Sequence, residues 1–128
     1  MKRGLIVLGL TALILILAIV EIVYINDTIK DMNRECSSIY YYVTSDDFSF
    51  DTLLDKTDKL EDYWQGREKK LCLIVSHKDM ANIADNISHV KASAINQNKE
   101  DAITYSLLLK ENMSYLSHLI SFNIENVF

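Results

Sequence analysis

The chain has 128 residues, 49% of them hydrophobic and 24% charged, with a net charge of -5, and it contains three glycines and no proline. An acidic balance with no long basic stripe argues against a nucleic-acid partner, because such a surface repels phosphate backbones. The missing proline and scarce glycine remove the usual punctuation of sheets and loops, so the predicted fold is all-α.

The first predicted element is an uncharged run from Gly4 to Val20, preceded by Met1, Lys2 and Arg3; after Glu21 it resumes as Ile22, Val23, Tyr24 and Ile25. As a helix, Gly4 to Ile25 is about 33 Å long, enough to cross a hydrocarbon core of about 30 Å. A cleaved signal peptide is the alternative, but its apolar stretch is roughly 7–15 residues and ends in a small-x-small site, which is missing around Glu21 to Ile25. Residues 1–25 are therefore expected to form a transmembrane signal-anchor in contact with lipid through residues 4–25, and residues 26–128 an extracytoplasmic helical bundle domain. Orientation follows Lys and Arg. Lys2 and Arg3 flank one end while Lys30 and Arg34 lie near the other. The basic pair beside the N-terminus is read as cytoplasmic, which places the outer domain outside the cell membrane. Without Lys2, Arg3 and Glu21 the remainder holds 11 basic and 17 acidic residues. Glu21 itself is expected at the outer boundary, within reach of headgroups.

Beyond the membrane, Ile29, Met32, Cys36, Ile39 and Val43 recur at spacings of three and four, the mark of one buried helical stripe. Because no strong breaker intervenes between Gly9 and Gly66, the anchor is expected to continue as one helix to about Val43. Thr44 to Asp47 form the first turn, and Ser49 or Asp51 is placed to cap the second helix. The next stripe is Leu53, Thr57, Leu60, Trp64, Leu71, Ile74 and Val75, interrupted at Gly66 and the basic cluster Arg67, Lys69 and Lys70. Ser76, with Asp79 three residues on, resembles a capping box. Met80, Ile83, Ile87, Val90 and Ala94 form the third stripe; Asn96 to Asn98 turn the chain; Ala102, Leu109, Met113, Leu116, Ile120 and Ile124 form the fourth. Short connections favour antiparallel neighbours. The predicted architecture is an N-terminal transmembrane helix continuing into an antiparallel up-and-down bundle of about four helices.

This geometry sets the candidate contacts. A helix from Asp51 returns to membrane level after about 18 residues, which brings Arg67, Lys69 and Lys70 near the headgroups as candidate partners of anionic lipid, against the simpler reading of a solvated face. Tyr40, Tyr41 and Tyr42 fall at the distal tip, about 22 Å beyond Ile25. Three adjacent tyrosines span most of a helix circumference, so at least one is expected to be exposed as a contact. Cys36 and Cys72 fall roughly 20 Å apart on folded-back helices, too far for a disulfide, and are read as packing residues.

No catalytic, cofactor or metal motif emerges. Asp85 and His89 share a helix face, but one carboxylate and one imidazole are too few for a metal site. Ser76-His77, Ser88-His89 and Ser117-His118 are sequence neighbours whose side chains diverge on a helix. Gly66 stands alone, so there is no phosphate loop. The chain is read as a non-enzyme with no cofactor.

Trp64 and the lysines after it, the approach Leu71 to Val75 into His77, the periodic helices and the ending Asn123 to Phe128 resemble the bacterial domain of unknown function 4363 family. That resemblance implies a small helical protein with one N-terminal membrane segment, from a Gram-positive bacterium. It implies no particular activity. Trp64 and His77 carry over as packing and helix-start residues; Cys72 and the serine-rich fourth helix lie outside it. Two functions compete. One is an accessory module whose bundle binds another membrane or envelope protein by its helix faces; the other is a sensor-like bundle taking a small ligand between helices near Trp64, His89 or Tyr105. With so few residues before the membrane, no cytoplasmic output domain is expected, and a sensor would also need a partner. The sequence leaves the oligomeric state open.

Overall fold

A computed structural model describes the backbone of residues 1–127 and all their side chains except those of Asn123, Ile124 and Val127. Four helices account for nearly all of it: α1 Lys2–Val43, α2 Phe50–Leu71, α3 His77–Ile95 and α4 Lys99–Val127. Among the described residues there is no strand. The first helix is unbroken across the expected boundary at residues 25 and 26 and runs for 42 residues, about 63 Å.

Side-chain caps decide where the other helices begin, since each first turn carries N–H groups with no partner inside the helix. The Ser49 hydroxyl accepts from the Thr52 N–H at 3.2 Å, and the Ser76 hydroxyl accepts from the Asp79 N–H at 3.1 Å. Asn98 does the same for the Asp101 N–H at 3.1 Å. In the expected capping box Asp79 would reach back to the backbone N–H of Ser76; instead the Ser76 hydroxyl donates to the Asp79 carboxylate at 2.9 Å, which a side chain one methylene shorter than Glu can manage. At the end of α3, Gln97 takes a positive φ of 54°. This lets the Asn98 N–H reach back to Ser93 O at 2.9 Å and the Gln97 N–H to Ala94 O at 3.3 Å, satisfying two terminal carbonyls.

The helices form a closed square. Each packs on its neighbours in sequence, α4 closes against α1, and the diagonal pairs α1/α3 and α2/α4 do not meet among the described residues. Antiparallel register is fixed at named points. The Tyr63 hydroxyl on α2 donates to Asp31 of α1 at 3.4 Å, and Lys91 on α3 lies 2.9 Å from Asp58 and 3.4 Å from Glu61 of α2.

The core follows the four stripes. Ile25, Ile29, Met32, Cys36, Ile39 and Val43 from α1 meet Leu53, Leu60, Trp64 and Leu71, then Met80, Ile83, Ile87, Val90 and Ala94, and Ala102, Leu109, Met113, Leu116 and Ile120. Three of the buried hydroxyls are settled within their own helices: Thr57 donates to Leu53 O at 2.7 Å, Ser93 to Val90 O at 2.6 Å and Ser106 to Ile103 O at 3.1 Å. In contrast, the residues of α1 before Glu21 are exposed throughout. This segment is long and apolar enough to cross a membrane, with a mean hydropathy of 3.0 over its most apolar stretch.

Two expectations are corrected by the fold. Gly66 does not interrupt α2, which continues through it to Leu71, because glycine in a helix interior costs only about 1 kcal/mol relative to alanine and packing outweighs that. Ile74 does not continue the buried stripe; it is 48% exposed in the turn after α2, while Val75 packs on the core. The Ile124 side chain, named in the fourth stripe, lies outside what is described, as do the side chains of Asn123 and Val127 and the whole of Phe128 in the C-terminal ending. Gly66 also yields a prediction. A Cβ built there meets nothing within 4 Å, so Gly66→Ala is expected to raise the unfolding free energy by about 1 kcal/mol, read as a higher midpoint in thermal circular dichroism.

Candidate functional site

The side chains singled out by sequence part into three groups. At the distal tip, Tyr41 stands 62% exposed, edge-on to Tyr40 with ring centroids 5.6 Å apart, and Lys110 of α4 approaches both rings at about 6 Å. Tyr42 turns inward. Its hydroxyl donates to Asp47 O at 3.3 Å and accepts from the Ser49 N–H at 3.0 Å, so it shapes the α1–α2 turn. Burial pushes the Tyr42 phenol up, but hydrogen bonds from Thr52 and Ser49 and the nearby Lys56 charge outweigh it and hold the group below its ordinary value. Of the three tyrosines, Tyr41 is the one fully presented to solvent.

At the opposite end the basic cluster is also divided. The Arg67 guanidinium lies 3.6 Å from the Tyr63 ring centroid. Lys70 sits 4.5 Å over the Tyr24 ring and 3.7 Å from Glu21. Lys70 therefore fastens the foot of α2 to α1 through a cation–π and an ionic contact, whereas Arg67 covers a ring of its own helix. Glu21 accordingly has a protein partner at the boundary, although its second oxygen is buried and unbonded. Lys69 is exposed and forms no ion pair among the described residues.

The third group is structural. Trp64 is 1% exposed with its indole N–H unbonded, and it borders a recess of about 260 Å³ between α2 and α3 with Glu61, Gln65, Glu68, Ala84, Ile87 and Ser88. His77 opens α3 immediately after its Ser76 cap. His89, exposed, stacks on half-buried Tyr105 at 4.3 Å across the outer edge of α3 and α4. Both cysteines are free. Burial, with the Glu35 charge adding, pushes the Cys36 thiol far above its ordinary value, so it stays protonated. Among the described residues no group of acidic, histidine or cysteine side chains is arranged to hold a metal.

A larger groove of about 390 Å³ separates the outer edges of α1 and α2 and is lined by Asp31, Arg34, Glu35, Asp55, Lys56 and Lys59 among others. Its charges pair locally, Arg34 with Asp31 at 3.2 Å and Lys59 with Asp55 at 3.0 Å. Exposed pairs of this kind contribute little.

Sequence reasoning missed the outward face of α4. Leu108, Tyr115, Leu119 and Phe122 are 44%, 63%, 36% and 62% exposed and succeed one another at spacings of seven, four and three, a second apolar stripe beside the buried one. The signal was available: α4 carries more large apolar residues than one helix face can bury.

The family described as Domain of unknown function (DUF4363) matches residues 19–127. The match begins inside the apolar run, so the family unit includes the join between that run and the bundle. No curated protein and no solved structure matches the chain.

Proposed function

This chain belongs to the DUF4363 family, and from that premise we propose a single-pass membrane protein, N-terminus in the cytoplasm and bundle outside, that acts without catalysis. It serves as an accessory module for another membrane or envelope protein. The observation that carries this reading is the exposed α4 stripe of Leu108, Tyr115, Leu119 and Phe122. Exposed aromatic side chains such as Tyr115 and Phe122, set among apolar neighbours, are the kind that interfaces favour as anchors. The stripe descends the side of the bundle toward the membrane end, which suits a partner held in the same bilayer.

A photo-crosslinking residue in place of Tyr115, in native membranes, is expected to give one discrete protein adduct. Exchanging Phe122 and Leu119 for Asp should reduce it at least about tenfold, the size of a lost interface anchor, and should leave the circular dichroism unchanged because both side chains are exposed. The same residue at exposed Lys59 on α2 should not give that adduct. Capture of lipid alone at Tyr115, or the same adduct from Lys59, refutes the reading; an adduct of twice the chain's mass replaces it with self-association.

A ligand-binding bundle is the second reading, supported by the recess beside Trp64 and its unbonded indole N–H. Its lining joins Trp64 to two carboxylates, an amide and a hydroxyl, a set suited to a small polar molecule carrying a cationic group.

A further inference from the structure

The three turns of the bundle differ in chemistry. Those at the distal end are mainly polar: Thr44 to Ser49 includes Asp46 and Asp47, with Phe48 half-buried beside Tyr42, and Asn96 to Asn98 follow a single exposed apolar residue, Ile95. The turn at the opposite end, between α2 and α3, instead presents Leu73 and Ile74, 78% and 48% exposed. It is a firmly held turn. Leu71 and Val75 on either side are buried at 0% and 5%, and the Leu73, Ile74 and Val75 N–H groups bond back to Lys70 and Leu71 carbonyls at 3.3, 3.0 and 2.8 Å. Two branched aliphatic side chains are thus held outward on a rigid support.

Their height along α1 says what lies against them. Lys70 touches Glu21 and covers Tyr24, and the chain then continues three residues to Leu73, on the side of Glu21 where the uncharged run begins. A hydrocarbon core of about 30 Å filled by residues 4–25 ends near this level. We infer that Leu73 and Ile74 insert into the outer interfacial layer of the same bilayer that holds α1, a second membrane contact that fixes the bundle upright. Lys69 and Lys78, both exposed on either side of the turn, form its cationic rim at the level of the headgroup phosphates. Short apolar wedges flanked by lysine are suited to that layer, where the aliphatic ends reach acyl chains and the ammonium groups stay hydrated.

This inference rests on the membrane-spanning reading of α1, and the test separates the two. The full chain is reconstituted in phosphatidylcholine and phosphatidylglycerol vesicles whose acyl chains carry bromine, a contact quencher of indole fluorescence. Three variants are compared over the common background of buried Trp64: Leu13→Trp within the span, Leu73→Trp in the turn and Tyr41→Trp at the distal tip. Leu13→Trp and Leu73→Trp should each lose at least about half of the added emission relative to unbrominated vesicles, as groups within reach of acyl chains do, and Tyr41→Trp should lose none. If Leu13→Trp is quenched while Leu73→Trp behaves like Tyr41→Trp, the turn does not enter the bilayer and the inference fails with the anchor intact. If Leu13→Trp is also unquenched, the anchor reading fails and this inference with it.

Discussion

Replacing Trp64 with alanine is expected to lower the unfolding free energy by about 3–5 kcal/mol, the range for deleting a buried indole. Domains of this size hold only about 5–15 kcal/mol in all, so the variant should melt roughly 15–30 °C below the wild type in detergent, monitored by circular dichroism. The size of the effect comes from position. Trp64 is the largest fully buried side chain and lies where α2 meets Ala84 and Ile87 of α3. Trp64→Phe provides the contrast. The indole N–H has no partner to lose, so phenylalanine gives up volume but no hydrogen bond and should cost about 1–2 kcal/mol. If alanine and phenylalanine prove equally mild, Trp64 is not holding α2 to α3, and the recess beside it belongs to a looser, ligand-dependent packing.

A Gly-Pro insertion after Asn26 is the second severe change. Proline inside a helix costs about 3 kcal/mol by removing one hydrogen bond and clashing with the preceding turn. The two added residues also turn the segment before them by about 200° relative to the bundle. Ile25, 1% exposed, then leaves the core, and that burial is worth a further 1.5–3 kcal/mol or so. Glu21 and Tyr24 swing away from Lys70 at the same time. The chain should still float with membranes, since the apolar run is untouched. Backbone amide exchange should rise by orders of magnitude at the foot of α2, from Arg67 to Leu71, while the distal half stays protected. An exchange pattern unchanged at that foot would mean that the apolar segment is only a tether.

The α-helical class, the four stripes and the caps at Ser49 and Ser76 were all readable in sequence because they depend on local rules: a period near 3.6 residues and side chains that satisfy terminal N–H groups. The coarse register of α1 on α2 was also readable, since rise per residue alone returns Lys70 to the level of Tyr24. What could not be read was the direction in which individual side chains turn. Arg67 and Lys70 are equally basic in sequence, yet both lie over tyrosine rings and leave Lys69 to face outward. Tyr42 is interchangeable with Tyr41 in composition, and only its hydroxyl closes the α1–α2 turn. Ile74 and Val75 are alike in character, and a change of backbone path after Leu71 sends one outward and the other inward. The α4 stripe was hidden for another reason. Apolar residues on two faces of one helix blur the periodicity that marks either face alone.

The square arrangement has a consequence for how the molecule comes into being. Helix α1 is the first to be made, yet the wall that covers one side of its stripe is α4, the last of the four. Until that helix has come across, Ile29, Met32 and Cys36 sit on a half-built surface, and closing the square means joining segments separated by most of the chain. Such distant pairings form late because a long loop must be ordered before they repay it. The neighbouring pairs α1/α2 and α2/α3 can meet as hairpins while synthesis continues. Assembly is therefore expected to run from the early hairpins to a final latch, and until that latch closes the apolar seam of α1 stays open on one side.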